Sequence, residues 1–193
     1  MHIITIDNDP KKSLSTKALP ISENEKGLKE AKIITEHLIK TLTPLMPAAG
    51  LAAPQIGFLK RIFIYSWDRS LTNLEAALNP RFEKLDEKIN TRWEACFSTI
   101  LGSPPYKIAF VPRPTNILVT YKTLEETIKH LILEGFAARV FQHEYDHLEG
   151  IKNINRPDIE VKSFETKEKL LGFMNEVKRN DKIEYIEPKI HKI

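Results

Sequence analysis

The chain of 193 residues contains one cysteine, Cys96, and this scarcity excludes a disulfide within the chain. A protein without disulfides fits a reducing compartment, so we expect this one in the cytoplasm. A lone cysteine is most often a small buried hydrophobic residue. That interpretation applies to Cys96 until a partner for its thiol is identified.

The sequence also lacks long apolar runs and an excess of one charge. No apolar stretch reaches the roughly 18 residues of a membrane-spanning helix, so no membrane partner is expected. The N-terminal residues lack the basic and apolar regions of a secretory signal. The net charge is only +3 and both signs are interspersed, which argues against a specific DNA or RNA site. Without a repeat or linker, residues 1–193 are predicted to form a single globular domain.

The strongest local pattern is His-Glu-x-x-His at His143, Glu144 and His147. If this stretch is helical, the two histidines lie one turn apart on one face and can reach the same metal ion. Glu144 points about 100° away around the helix, from where it can touch a metal-bound water. Phe136 and Val140 precede the histidines at helical spacing, so an apolar stripe leads up to them.

Apolar periodicity predicts two further helices. The first begins at Ser22, where Glu25 completes a capping box, and the second extends from about Phe164 to Lys178. Between them, strands are predicted at 61–65, in pieces between 74 and 93 with breaks at 79–80 and 86–87, and in a hairpin of 117–121 with 127–133. The predicted fold class is α+β, with antiparallel strands surrounding a central metal-binding helix and with an N-terminal and a C-terminal helix.

A hydrolytic metal site usually has three protein ligands, and the residues alone leave the third one open. Zincin peptidases take a downstream His or Glu, but Glu149 faces away from the two histidines. The thiolate of Cys96 is the other option and would give a Cys-His-His site. Three more glutamates are available downstream without a supporting pattern: Glu160, Glu165 and Glu168.

Three separated stretches carry a resemblance to a known family. Residues 50–55, Gly-Leu-Ala-Ala-Pro-Gln, are similar to a motif Gly-x-Gly-Leu-Ala-Ala-x-Gln. Residues 94–98, Glu-Ala-Cys-Phe-Ser, are similar to Glu-Gly-Cys-x-Ser, and residues 142–148 to Gln-His-Glu-x-Asp-His-Leu. In this order, these stretches resemble the three motifs of the peptide deformylase family.

The resemblance implies a metal-dependent hydrolase that removes the formyl group from the N-terminal formyl-methionine of newly made polypeptides and releases formate. It implies that Cys96, His143 and His147 hold one divalent metal ion, Fe²⁺ in the cell and Zn²⁺ or Ni²⁺ in isolated protein. The expected partners are N-formylmethionyl nascent peptides, and a transient contact with the ribosome is compatible with this activity.

The resemblance also implies roles for the other motif residues. Glu144 takes a proton from water and delivers it to the departing amine. The Gln55 amide and the backbone N–H of Phe97 donate to the developing oxyanion. Gly50 is expected to bind substrate, and three residues are expected to support the site structurally: Glu94, Arg113 and Asp146. Phe136 and Val140, on the apolar stripe ahead of the histidines, are candidates for the pocket that receives the methionine side chain.

The chain departs from the family pattern at Ala48, Ala95 and Phe97. Where the family's glycine has a positive φ, alanine would cost about 1 kcal/mol or more, and the added methyl groups would narrow the substrate cleft. Two other functions compete with the deformylase hypothesis. One is a zincin-type metallopeptidase that does not use Cys96, and the other is a catalytically weak relative that binds peptides.

Overall fold

The computed structural model describes residues 2–191 and confirms the predicted α+β fold, in which antiparallel strands form two sheets. A six-stranded sheet has the order β1-β2-β3-β6-β7-β9, and a three-stranded sheet has the order β4-β5-β8. The strands are β1 (Gly50–Ala52), β2 (Ile62–Ser66), β3 (Leu74–Lys84), β4 (Ile89–Ala95), β5 (Tyr106–Pro114), β6 (Asn116–Lys122), β7 (Ile128–Glu134), β8 (Glu160–Phe164) and β9 (Lys189–Ile190).

One helix lies at the centre of this arrangement. The four helices are α1 (Glu25–Leu42), α2 (Phe97–Ile100), α3 (Gly135–Leu148) and α4 (Lys167–Asn180). Helix α3 contacts β1, β2 and β7 of the larger sheet and β5 of the smaller one, so its histidines lie where the two sheets meet. Within residues 2–191, no helix has both the length and the apolar character needed to cross a membrane.

Helix α1 begins at Glu25, two residues later than a helix capped by Ser22 would begin. The side chain of Asn24, and not that of Ser22, accepts a hydrogen bond from the N–H of Gly27 at 2.8 Å. The chain at Ser22 folds back over the first turn, where a Cβ on Gly27 would lie 2.0 Å from the Ser22 carbonyl oxygen. The predicted stripe is otherwise present, and it packs against β2 through Ala31, Ile34, Leu38 and Leu42.

The strand predicted to break at Asn79 and Pro80 continues through them as β3, so this break is wrong. A β-bulge between Leu78 and Arg81 accommodates the positive φ of Asn79. Because strand pairing is interrupted at the bulge, Pro80 does not need to donate an N–H to the neighbouring strand. The Asn79 side chain accepts from the N–H of Ile21 at 2.8 Å and donates to its carbonyl at 2.9 Å. The bulge thereby ties the N-terminal segment to the larger sheet.

The hairpin prediction is confirmed, because β6 and β7 pair directly along their length. Helix α4 begins at Lys167 instead of Phe164, since Phe164 ends β8 and Thr166 caps the helix with its side chain. After α4, the chain returns to the larger sheet as β9, which pairs with the edge of β7.

Candidate active site

Three side chains that could hold a metal ion converge at the junction of the two sheets. His143 and His147 project from α3 one turn apart, with ring centroids 5.2 Å from each other. Cys96 follows β4 and immediately precedes α2, so the smaller sheet places the thiol next to α3. One ligand atom from each of the three residues lies within 4.8 Å of the others, and Cys96 Sγ is 3.3 Å from His147 Nε2.

These residues fit a divalent metal ion in chemistry as well as in position. A thiolate and two imidazoles, each about 2.0–2.3 Å from one ion, would lie within about 4 Å of one another. Burial alone would raise the pKa of the Cys96 thiol, but the imidazoles of His147 and His143 hold that pKa well below its ordinary value. The thiolate is the form that binds metals, so the buried site favours the ligand state that it needs.

The orientation of His143 is set by Glu94 on β4. His143 Nδ1 donates to Glu94 Oε2 at 2.9 Å, which leaves Nε2 as the nitrogen directed at the site. The same carboxylate accepts two hydrogen bonds from Arg113, from Nε at 2.6 Å and from Nη2 at 2.8 Å. Burial opposes ionisation of Glu94, but the charge and hydrogen bonds of Arg113, together with those of His143, outweigh it and hold the pKa of Glu94 well below its ordinary range.

Two arginines that the sequence analysis did not single out complete this network. Arg139 Nη1 donates to Glu94 Oε1 at 2.6 Å and to the carbonyl of Val111 at 2.9 Å. It precedes His143 by four residues, a spacing that places it on the same helix face and could have identified it. Asp146 Oδ2 accepts from Arg113 Nη1 at 2.9 Å and from Arg156 Nη1 at 2.7 Å, so it caps cationic groups. Arg156 lies on the connector after α3 and belongs to no motif, so the sequence gave no signal for its role.

Glu144 is buried beside the histidines with spare hydrogen-bonding capacity. Among residues 2–191, its Oε2 atom has no hydrogen-bond partner, and neither does Nδ1 of His147. Burial raises the pKa of Glu144 to about 7. The absence of a side chain at Gly50 makes this placement feasible, because a Cβ there would lie 2.7 Å from Glu144 Oε1. The carboxylate is thus available to exchange a proton with a bound molecule.

Gln55 presents its amide nitrogen to the same place. Its Oε1 accepts from the N–H of Ala52 at 2.9 Å, which turns Nε2 toward Ser98 Oγ at 3.2 Å and Cys96 Sγ at 3.5 Å. Phe97 is the first residue of α2, and a backbone N–H at that position has no acceptor within its own helix. Two N–H donors therefore lie next to the metal ligands.

The two predicted pocket residues, Phe136 and Val140, have different surroundings. Val140 is buried in the main hydrophobic core. Phe136 is partly buried, and its ring has Tyr185 edge-on at 5.2 Å between centroids and the Arg69 guanidinium carbon 4.8 Å from its centroid. Neither Tyr185 nor Arg69 belongs to a motif, so sequence analysis gave no signal for this enclosure.

The departures from the family motifs cause no backbone strain at the two alanines. Ala48 and Ala95 are not among the residues with positive φ, and Ala95 pairs regularly with Ile108 inside the smaller sheet. The cost considered for alanine at these positions is therefore not incurred.

Comparison with known proteins decides the family. A family model described as Polypeptide deformylase matches residues 2–167. The chain belongs to the peptide deformylase family. A peptide deformylase of Thermotoga petrophila is 31% identical, over 93% of this chain and 100% of the relative. The family and the metal-dependent hydrolase class inferred from the three motifs are confirmed.

Solved structures of peptide deformylases share the fold. The crystal structure of the Thermotoga maritima enzyme has a TM-score of 0.66 at 32% identity and covers 80% of this chain and 95% of that one. A class I type b peptide deformylase from Acinetobacter baumannii, bound to Met-Ala-Ser, has a TM-score of 0.68 at 25% identity, over 81% of this chain and 97% of that one.

Proposed function

We propose that this protein removes the formyl group from the N-terminal formyl-methionine of newly made polypeptides and releases formate. The observation that carries the proposal is the convergence of Cys96, His143 and His147 with the free carboxylate of Glu144 and the amide of Gln55. The Acinetobacter baumannii relative binds Met-Ala-Ser, a tripeptide that begins with methionine as a product of this reaction would.

Cys96, His143 and His147 would hold one divalent metal ion, which we propose is Fe²⁺ in the cell and Zn²⁺ or Ni²⁺ in isolated protein. When bound, such an ion supplies Lewis-acid chemistry, in that it polarises a carbonyl and lowers the pKa of water. Glu94 supports this centre by fixing the ring of His143, and Arg113 supports it by neutralising Glu94.

Glu144 is the proposed proton carrier. As a general base, it accepts the proton of the water that attacks the formyl carbon, and it then gives that proton to the departing amine. A carboxyl group with a pKa of about 7 can do both near neutral pH, and burial is the main cause of this value. Within residues 2–191, the Oε2 atom of Glu144 has no hydrogen-bond partner, so it can accept a hydrogen bond from that water.

Gln55 and Phe97 are the proposed oxyanion donors. As the formyl carbon becomes tetrahedral, negative charge develops on its oxygen, and prearranged N–H groups stabilise that charge. The Gln55 amide is held in place by the N–H of Ala52, so it loses little orientational freedom during the reaction. Removal of one such donor typically lowers the rate by about 10²–10³.

The peptide is proposed to enter along β1, which is an edge strand of the larger sheet. An edge strand can pair with an extended peptide through its free backbone groups. Gly50 on this strand is a proposed contact of the substrate backbone, while Phe136 and Val140 on α3 are the proposed walls of the methionine pocket. Cytoplasmic nascent chains are the proposed partners, with a transient ribosome contact.

One experiment tests the function directly. The protein is prepared anaerobically with Fe²⁺ or with Ni²⁺, and formate release from formyl-Met-Ala-Ser is measured beside a Glu144→Ala variant of equal metal content. The proposal requires formate from the metal-loaded protein and its loss in the variant. No formate from the loaded protein would exclude the proposal, and cleavage of internal peptide bonds would indicate a zincin-type peptidase instead.

A further inference from the structure

The segment that follows α4, residues 181–191, crosses the N-terminal end of α3. At its start, Asp181 Oδ1 accepts from Arg92 Nη1 on β4 at 3.0 Å. Near its end, Lys189 Nζ lies 2.5 Å from Glu134 Oε1, directly before α3, and β9 pairs with β7. The segment is therefore attached to the smaller sheet at one end and to the larger sheet at the other, and its middle lies over the first turn of α3.

Two side chains of this segment contact that turn. The ring of Tyr185 meets the ring of Phe136 edge-on, with 5.2 Å between centroids and an angle of 89°. Ile186 Cδ1 lies 3.8 Å from the position that a Cβ on Gly135 would occupy. On another side of Phe136, the guanidinium of Arg69 lies over the ring. Phe136 is thus held between the β2–β3 loop and the segment after α4.

Phe136 lies on the face of α3 that carries His143, about two helical turns before it. A substrate that presents its formyl group at the histidines places the first side chain within reach of this face. Methionine is long, unbranched and flexible, so in the proposed binding mode its end can reach from the reacting group toward the start of α3. The ring of Phe136 would meet the end of that side chain, and whatever fixes the ring would set how long a side chain fits.

We propose that Tyr185 is a positioning residue that fixes the Phe136 ring and thereby closes the far end of the methionine pocket. The proposal rests on the proposed function, and in particular on Phe136 as a wall of that pocket. Tyr185 lies beyond residues 2–167, the part of the chain that the family model matches.

Side-chain selectivity distinguishes this role from simple stabilisation of the fold. The measured quantity is the ratio of kcat/KM for formyl-Met-Ala-Ser to that for formyl-Phe-Ala-Ser, determined with the metal-loaded protein. Tyr185→Ala frees the Phe136 ring and enlarges the pocket, so the ratio should fall by about tenfold, as pocket changes of this size do. Tyr185→Phe keeps the ring and should restore the wild-type ratio.

Leu171→Ala is the matched control, because Leu171 is an exposed apolar residue of α4. Its ratio should equal that of the wild type. If the Tyr185→Ala protein fails to fold, Tyr185→Leu provides a variant that retains volume but lacks the ring, and its ratio must also fall. An equal fall in Leu171→Ala would overturn the inference, since the effect would not be specific to Tyr185.

Phe136→Ala separates failure of this inference from failure of the proposed function. If it lowers the ratio while Tyr185→Ala does not, the pocket stands and the role of Tyr185 is wrong. If neither variant changes the ratio, Phe136 is not a pocket wall and the inference falls with it. In both cases, formate release by the wild-type protein still supports the proposed activity. Only the absence of formate release would contradict that activity.

Discussion

His143 donates its Nδ1 hydrogen to Glu94 Oε2 across 2.9 Å, so a carboxylate of the smaller sheet orients a proposed metal ligand of the central helix. The same carboxylate accepts hydrogen bonds from Arg113 and Arg139. Because the smaller sheet and α3 meet at this one group, its charge influences both their packing and the geometry of the metal site.

Replacement of Glu94 by glutamine should weaken metal binding without removing a ligand. Glu94→Gln eliminates the negative charge that His143 and Arg113 face, and loss of such a supporting contact typically lowers metal affinity by about 10- to 100-fold. Competition with a chelator measures the change.

Glu149→Gln is the control for this experiment. Glu149 also pairs with an arginine, Arg61 at 2.5 Å, but its partners lie outside the metal site. Its metal affinity should match the wild type, and an unchanged affinity in Glu94→Gln would contradict the supporting role of Glu94.

Cys96→Ala should abolish stable metal binding. The thiolate supplies one of three protein ligands, and two histidines on one helix form a much weaker site. The metal content of Cys96→Ala after dialysis should fall to background. His130→Ala should retain the metal, because His130 is hydrogen-bonded to Thr120 on the larger sheet. Full metal retention by Cys96→Ala would mean that a different residue is the third ligand, as in a zincin.

The parts of this site that are local in sequence could be predicted from it. His143, Glu144 and His147 are readable because helical spacing alone sets their relationship. Cys96 could not be identified as the third ligand from the residues alone, because a cysteine that is distant in sequence need not lie near the histidines. Only the resemblance of three ordered motifs to a known family predicted that it does. Its location at the end of β4 depends on how the smaller sheet packs.

Contacts that depend on tertiary packing were not predictable. Arg156 reaches Asp146 from an irregular connector, and Tyr185 reaches Phe136 from a segment whose sequence gave no clear structural signal. The same limit applies to local boundaries. Asn24 caps α1 in place of Ser22 because the preceding chain folds over the first turn, which propensity does not encode.

Asp68 should make the stability of the protein depend on pH below about pH 4. Burial opposes its ionisation, but hydrogen bonds from Ser70, Asn73 and Ser66 outweigh this and lower the pKa of Asp68 from 3.8 to about 2. Since the pKa is lower in the folded state, the stabilising contribution is complete above the unfolded-state value and is lost as the pH falls toward about 2.

Urea unfolding of the wild type and Asp68→Asn at several pH values measures this contribution. The difference in unfolding free energy between them should be largest above about pH 4 and should shrink as the pH approaches 2, because protonation removes from the wild type what the variant already lacks. Subtraction of the two curves cancels the other carboxylates. A difference that stays constant over this range would show that the carboxylate charge of Asp68 does not stabilise the loop.

Gly50→Ala should impair catalysis while leaving the metal in place. An added Cβ would lie 2.7 Å from Glu144 Oε1 and 2.9 Å from the Ile64 carbonyl oxygen. The Glu144 carboxylate is the flexible end of a side chain and must move away, and β1 must also shift slightly from the Ile64 carbonyl of the paired strand β2. Displacement of a catalytic group by about 1 Å can cost about 10²-fold in rate, and we expect kcat/KM to fall by about that factor.

Gly172→Ala provides the matched control for this glycine, because a Cβ at Gly172 in α4 meets no other atom within 4 Å. Alanine is the better helix former, so this variant should gain about 0.5–1 kcal/mol in unfolding free energy and keep its activity. The comparison separates a general glycine effect from the close approach at Gly50. If Gly50→Ala keeps both its metal and its full kcat/KM, the position of Glu144 in the structure is not the one that catalysis requires.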